Sequence, residues 1–211
     1  MLLSKFVVAL TALASAGAPD TATPFKSTPD FAPKSVKLDD RHGMGFHWNK
    51  KLPCGANRAT VTVKFDAAYT SVRTADAPVA KVWLHSETGD ASEQWAGAAF
   101  KAPTDRWKLN AVSWLEKVTG SKTEGPGYVP ADLSRPVQID LAWTADGVVS
   151  VDFGGEFVKK VTLDKPVTEI GVGGSWAKFE FIDLKVGRVG APDPACERPN
   201  VAQIAPPTIT R

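Results

Sequence analysis

The sequence has almost no excess of either charge. Its 211 residues include 25 lysines and arginines against 23 aspartates and glutamates, a formal net charge of +2. A nucleic-acid partner would require a concentrated basic surface, because affinity for the phosphate backbone comes from neutralising it. The same balance provides no long-range attraction toward anionic polysaccharides or lipids. The composition therefore argues against nucleic-acid binding and leaves other partners open.

Long apolar runs are scarce. A run of nine largely apolar residues, Phe6 to Ala14, follows Lys5 and leads into Ala14-Ser15-Ala16. A helix that spans a bilayer needs about 20 such residues. A positive residue, a short apolar run and a small-x-small site are typical of a secretory signal peptide. We predict a signal peptide at residues 1–16 and a secreted or periplasmic protein that does not span the membrane. The alternative is an N-terminal helix or membrane anchor.

Cysteine is limited to Cys54 and Cys196. Neither has another Cys or His at the spacing of a zinc site, so zinc is not expected. No other metal and no cofactor is predicted. In an exported protein an even pair of cysteines usually forms a disulfide. A Cys54–Cys196 bridge is predicted, and two buried free thiols are the alternative.

No strong helical pattern is present, whereas period-two alternation is clear between Val137 and Val186. Apolar side chains alternate with polar ones in Val137–Trp143, and again in Val149–Phe153 after the turn Asp146-Gly147. A further turn follows at Gly154-Gly155. Alternation between turn dipeptides is typical of antiparallel strands with one buried face. The fold class is predicted to be all-β.

About ten or eleven strands of this kind are predicted in one domain, residues 35–189. The preceding residues 17–34 contain four prolines and are predicted to be an extended lead-in. Residues 190–211 contain five prolines and are predicted to be a surface tail. We expect a loop at residues 120–130, and a β-bulge near Phe181-Ile182, where the apolar phase changes from odd to even positions.

Two segments of the strand series resemble a known superfamily. In Val137–Glu156 a strand that ends in an aromatic residue is followed by Asp-Gly, a second strand and a Gly-rich turn. This run resembles a hairpin of the concanavalin A-like lectins and glucanases, and Gly174–Val186 resembles their closing strand. The resemblance covers about 50 residues. It implies an antiparallel jelly-roll β-sandwich, here of about 10–11 strands, whose concave sheet often holds sugar. It carries over no catalytic residue.

Tryptophans suggest where a sugar would bind. An indole stacks on the apolar face of a sugar ring, while nearby polar groups meet its hydroxyls. On the predicted strands at residues 79–85 and 94–101, Trp83 and Trp95 alternate with the apolar core set. At residues 107–115 the alternation leaves open which side faces the core. If these strands are neighbours, one surface carries the predicted carbohydrate-binding residues Trp83, His85, Trp95, Asn110 and Trp114. The alternative is that these tryptophans fill the sandwich or pack under loops.

The carboxylates give only weak evidence for a catalytic site. Glu87, Asp90 and Glu93 are spaced by three residues, so they cannot all face one side of a regular strand. Retaining glucanases of the resembled superfamily instead place two Glu and an Asp alternately on one strand. We interpret the segment as a solvated acidic loop or a weak calcium loop and predict no catalytic residue.

Three functions fit these observations. The first is an exported, non-catalytic, lectin-like domain that binds a polysaccharide or glycan by tryptophan stacking. The second is a polysaccharide lyase or glycoside hydrolase of the same fold, acting around His85, Glu87 and Glu93. The third is a structural or adhesion module that contacts another protein through an edge strand or the tail.

Overall fold

The protein was analysed as a computed structural model that describes residues 24–41, 45–69, 78–86, 94–101, 111–120, 122–191 and 193–196. The predicted signal peptide at 1–16, the first part of the lead-in and most of the tail lie outside these residues. No helix long and apolar enough to cross a membrane occurs within them. The strands are β1 (Lys26–Ser27), β2 (Ser35–Asp40), β3 (Gly45–Lys51), β4 (Arg58–Ala68), β5 (Val79–Ser86), β6 (Gln94–Lys101), β7 (Val112–Thr119), β8 (Lys122–Pro130), β9 (Val137–Trp143), β10 (Val148–Phe153), β11 (Glu156–Thr162), β12 (Glu169–Ser175) and β13 (Ala177–Arg188).

These strands form two antiparallel sheets that pack face to face. The seven-stranded sheet has the order β1-β13-β4-β9-β10-β11, with β2 also paired to β13. The six-stranded sheet has the order β3-β12-β5-β6-β7-β8. The chain passes repeatedly from one sheet to the other, which is the arrangement of a jelly-roll sandwich. The predicted all-β jelly-roll fold is therefore confirmed.

One continuous core lies between the sheets. In each strand every second side chain points inward, because successive side chains of a strand point to opposite faces. Phe100 of the six-stranded sheet meets Phe153 of the other edge to face, with ring centroids 5.3 Å apart. The largest fully buried side chains come from both sheets and include Phe100, Phe179, Phe181, Leu38, Leu84, Leu115, Ile139 and Leu141.

The described residues contain thirteen strands, whereas the sequence predicts ten or eleven. One additional strand is β1, a two-residue pairing with β13 in the segment that was expected to be extended. The other is β8, so the predicted loop at residues 120–130 is wrong. Strand β8 lies at the edge of its sheet and most of its residues are exposed, so it needs no apolar alternation. An edge strand also tolerates proline, which cannot donate to a neighbouring strand.

The irregularity in the last strand is confirmed. The register between β13 and β4 shifts between Ile182 and Lys185. Asp183 has a φ of 53°, and its N–H donates to the Lys34 carbonyl at 2.9 Å. A single residue in the left-handed region adds one position to the strand and moves the apolar phase from odd to even residues.

The predicted disulfide is also confirmed. Cys54, before β4, is bonded to Cys196, after β13, with the two Cα atoms 5.5 Å apart. The bond closes a loop across 142 positions of sequence. Val189, just before the tail, is held by the side chain of Asn57. The Asn57 amide oxygen accepts from the Val189 N–H at 2.8 Å, and the Asn57 amide nitrogen donates to the Val189 carbonyl at 2.9 Å. The last strand is thus fixed by the sheet and by Asn57, and the disulfide ties the following turn to the same end of the domain.

Candidate functional site

The candidate site is the side of the six-stranded sheet that points away from the core, which we call the outer face. Strands β5, β6 and β7 lie side by side, as the sequence analysis required. His85 is paired directly with Trp95, Trp83 with Gly97, and Ala99 with Trp114. Directly opposed residues of antiparallel strands point to the same side of the sheet. Four of the five predicted residues therefore share the outer face, and the fifth, Asn110, lies outside the described residues.

The alternation of the sequence explains this placement. The inward set of β5 and β6 ends in the buried polar pair Ser86 and Gln94, and its other members are apolar and fully buried: Ala80, Val82, Leu84, Ala96, Ala98 and Phe100. A shift of one residue would expose this set, so the register is fixed by the core. The tryptophans consequently point outward because their neighbours along the strand are needed inside.

Trp83 is nevertheless only 5% exposed. Its ring lies over Gly97, where a Cβ atom would come within 2.7 Å of Trp83 Cδ1. It also packs edge to face on Trp95, with centroids 6.1 Å apart and planes at 69°. Trp83 therefore supports the surface from beneath and contributes little ring area to it.

Trp114 is held by a buried charge pair. Its indole N–H donates to Glu116 Oε2 at 3.1 Å, and Lys81 Nζ donates to Glu116 Oε1. The side chain of Glu116 is 3% exposed and that of Lys81 is 15% exposed. Both oxygens of a desolvated carboxylate are thus occupied, which fixes the orientation of the Trp114 ring.

Trp95 is held by His85. The two rings are stacked with centroids 4.1 Å apart and planes at 22°. His85 Nδ1 lies 3.8 Å from Glu169 Oε2 on the neighbouring strand β12. Trp95 and Trp114 both remain partly exposed, and both have their rings positioned by other side chains of the outer face.

The aromatic surface continues to the edge of the sheet. Tyr128 of β8 is paired with Trp114, and their ring centroids are 6.2 Å apart. At 68% exposure, Tyr128 is the only exposed large hydrophobic residue in the described part of the chain. The outer face thus carries three rings that reach solvent, Trp95, Trp114 and Tyr128, which we call the aromatic line.

Sequence reasoning missed Glu116, Glu169 and Tyr128 as members of this face. Glu116 could have been found, since it lies two residues after Trp114 and therefore on the same side of the strand. The predicted strand ended at Leu115, whereas β7 continues to Thr119. Glu169 and Tyr128 depend on strand pairings that the sequence does not reveal.

The outer face does not hold two carboxyl groups at a hydrolytic distance among its described residues. Glu116 and Glu169 lie on β7 and β12, which are separated by β5 and β6. Three strand spacings are about 14 Å, and hydrolysis needs carboxyl groups about 5 to 9.5 Å apart. Glu87 and Glu93, named in the enzymatic alternative, lie outside the described residues.

Replacing Gly97 with alanine tests how the surface is supported. The added Cβ would displace the Trp83 ring, and overpacking of this kind costs about 1–3 kcal/mol. We expect Gly97→Ala to lower the free energy of unfolding by that amount in a denaturant titration. The Trp83→Phe background removes the clashing ring atoms, so there the same change should cost clearly less. Equal costs in the two backgrounds would contradict the contact.

Comparison with known proteins gives no sequence relative. No family model matches the chain, and no curated protein matches it.

Solved structures resemble it in fold. The xylan β-1,4-xylosidase from Bacillus halodurans C-125 superposes with a TM-score of 0.53 at 7% identity, over 77% of this chain and 34% of that one. The carbohydrate-binding module CBM66 from Bacillus subtilis gives 0.45 at 11% identity, over 79% and 92% of the two chains. A β-glucanase from Bacillus licheniformis gives 0.44 at 10% identity, over 81% and 100%. The resemblance to concanavalin A-like jelly rolls is confirmed for the fold alone.

Proposed function

We propose that this is an exported protein that binds a polysaccharide or glycan on the outer face of its six-stranded sheet, without catalysing a reaction. The observation that carries the proposal is the pair of partly exposed tryptophans, Trp95 and Trp114, each positioned by a polar side chain on that face. Pre-positioned rings stack on a sugar with little loss of side-chain entropy.

The polar groups around the rings suit the same ligand. A sugar ring has apolar C–H faces and a rim of hydroxyl groups, so it needs an aromatic surface bordered by hydrogen-bonding groups. On the outer face the rings are bordered by His85, Glu169 and Lys81. Asn49 and Lys51 of β3 are exposed at the far edge of the same sheet.

Export is supported by the disulfide. A Cys54–Cys196 bond persists in an oxidising compartment and is rare in the cytosol. Together with the predicted signal peptide at residues 1–16, it favours a secreted or periplasmic location. Detection of the mature protein in the culture medium or periplasm, with its N-terminus near Ala16, would test this directly.

Single tryptophan substitutions test the proposed surface. The protein is first titrated with soluble polysaccharides, and newly released reducing or unsaturated ends are scored in the same samples. For the ligand that binds, Trp95→Ala and Trp114→Ala should each weaken affinity at least tenfold, about 1.4 kcal/mol. Thr62→Ala, on the opposite outer surface of the seven-stranded sheet, is the matched control and should bind like the wild type.

Two other results would contradict this proposal. Release of new chain ends would replace the binding proposal with the enzymatic alternative. Unchanged affinity in both tryptophan variants would remove the outer face as the binding surface.

Contact with another protein is the second candidate, because one observation favours it. Tyr128 is exposed on β8, an edge strand whose outer side has no partner strand within the six-stranded sheet. Such an edge can pair with a strand of another chain. A single exposed ring that also contacts Trp114 is better explained as the end of the aromatic line, so glycan binding is preferred.

A further inference from the structure

A cavity of about 540 Å³ opens at one end of the sandwich, away from the outer face. It lies where the end of β8 and the connection to β9 approach the turn between β10 and β11. Ligand pockets usually enclose about 300–1,000 Å³. The cavity is therefore large enough for one small organic molecule.

One wall of the cavity is apolar. Phe153 lies at its base, where it is 5% exposed and packs edge to face on Phe100 of the core. Val129, Pro130 and Val137 complete this wall. The ring of Phe153 is fixed by the core, so the wall is preformed and needs no rearrangement to accept a ligand.

Glu156 occupies an unusual position at the mouth. It is paired directly with Phe153, so its side chain is on the core-facing side of β11. A carboxylate at a core-facing register position is unfavourable unless it stays solvated or finds a partner. Glu156 is exposed, lines the cavity, and makes no side-chain hydrogen bond or ion pair with the described residues.

The facing wall carries a solvent-exposed charge pair. Arg135 Nε lies 3.2 Å from Asp132 Oδ2, and both residues line the cavity. The Ser134 hydroxyl and backbone N–H donate to Asp132 Oδ1 and hold the pKa of Asp132 below its usual range. Asp132 consequently stays ionised, and its charge is balanced by Arg135.

We propose that this cavity binds a single uncharged sugar residue, at a site separate from the outer face. The apolar side chains of Val129, Pro130 and Val137 suit the C–H face of the sugar, and Glu156 is available to accept from two neighbouring hydroxyl groups. Arg135 and Gln138 are further hydrogen-bonding groups of the lining. An anion is disfavoured, because Glu156 adds a negative charge that no lining residue balances.

The two sites are on opposite sides of the same edge strand. Tyr128 ends the aromatic line of the outer face, and the next residue, Val129, lines the cavity. A glycan that follows the aromatic line would therefore leave the sheet beside the cavity. The cavity would bind a single sugar whether or not a glycan takes this path, because its lining is formed without the rings of the outer face.

The test is a titration of the protein with glucose, galactose, mannose, xylose, arabinose, fructose and glucosamine, followed by ¹H–¹⁵N correlation spectra. We expect at least one uncharged sugar to shift the amide signals of Gly154 and Ala131, which line the cavity. Glu156→Ala should raise the Kd of that sugar at least fivefold. Glu124 is an exposed carboxylate on β8 outside the cavity lining, so Glu124→Ala is the matched control and should leave the Kd of the sugar unchanged.

Several results would overturn the assignment. These are no shift of cavity signals with any uncharged sugar, a response to glucosamine alone, or equal effects of Glu156→Ala and Glu124→Ala. Trp114→Ala separates the two proposals, since it should weaken polysaccharide binding on the outer face at least tenfold and leave the Kd of the single sugar unchanged.

Discussion

Glu116→Gln is expected to lower the free energy of unfolding by about 3 kcal/mol, the lower part of the range for breaking a buried ion pair. Glu116 accepts from both Lys81 and the Trp114 indole, and its side chain is 3% exposed. A glutamine presents one acceptor and one donor, so either the ammonium or the indole N–H loses its partner. Lys81 keeps 15% of its surface in contact with solvent, which is why the upper part of the range is not expected.

Denaturant titration of the single and double variants measures this effect. Lys81→Met combined with Glu116→Gln removes both charges, and such replacements are often close to neutral. The double variant should therefore be more stable than Glu116→Gln alone. A cost below about 0.5 kcal/mol for Glu116→Gln, as for an ordinary surface substitution, would contradict the buried pair.

Glu116→Gln should also weaken polysaccharide binding. The substitution leaves the ring of Trp114 in place but removes one of the groups that fix its orientation. Binding should fall less than in Trp114→Ala, because the ring itself is retained. A variant that loses stability while its affinity stays unchanged would show that the pair serves the fold alone.

Removal of the disulfide is the second large effect. For a closed loop of 142 positions, chain entropy gives a stabilisation of about 5 kcal/mol. Asn57 and the sheet hold β13 independently, so the native fold should persist without the bond. We expect Cys54→Ser with Cys196→Ser to lose about 3–5 kcal/mol, which corresponds to a fall in Tm of roughly 6–20 °C for a domain of this size.

Thermal unfolding of the oxidised, reduced and double-serine proteins tests this expectation. The reduced wild type and the double-serine variant should unfold at similar temperatures, well below the oxidised protein. Equal Tm values in all three forms would contradict the expected loss of stability and show that the disulfide holds only the terminal turn. Polysaccharide binding measured below the lower Tm should be retained, because neither cysteine is on the outer face.

The sequence predicts most of the fold where residues alternate strictly. Ala80, Val82 and Leu84 are inside and Trp83 is outside, as the pattern indicates, because the core is deep enough at β5 to enforce the register. Strand β8 was missed because an edge strand has little burial and hence no alternation. Local pattern identifies strands that build the core, and it fails where hydrogen bonding alone defines the strand.

The candidate site is less predictable, because it depends on which strands are neighbours. The alternation places Trp95 on an outward position, but it leaves the side of Trp114 open, which the pairing of β6 with β7 decides. Glu169 joins His85 only because β12 inserts beside β5. That pairing joins positions more than 80 residues apart in sequence and leaves no local signal.

The central claim is that sugar binds on the outer face, and the seven tryptophan indole N–H groups report on it individually. The most direct test is a ¹H–¹⁵N titration with soluble oligosaccharides, with indole signals assigned by single substitutions. The account predicts that at least one oligosaccharide shifts the signals of Trp95 and Trp114 and leaves that of Trp143, which is buried in the core, unchanged. No shift at Trp95 and Trp114 with any oligosaccharide would contradict it.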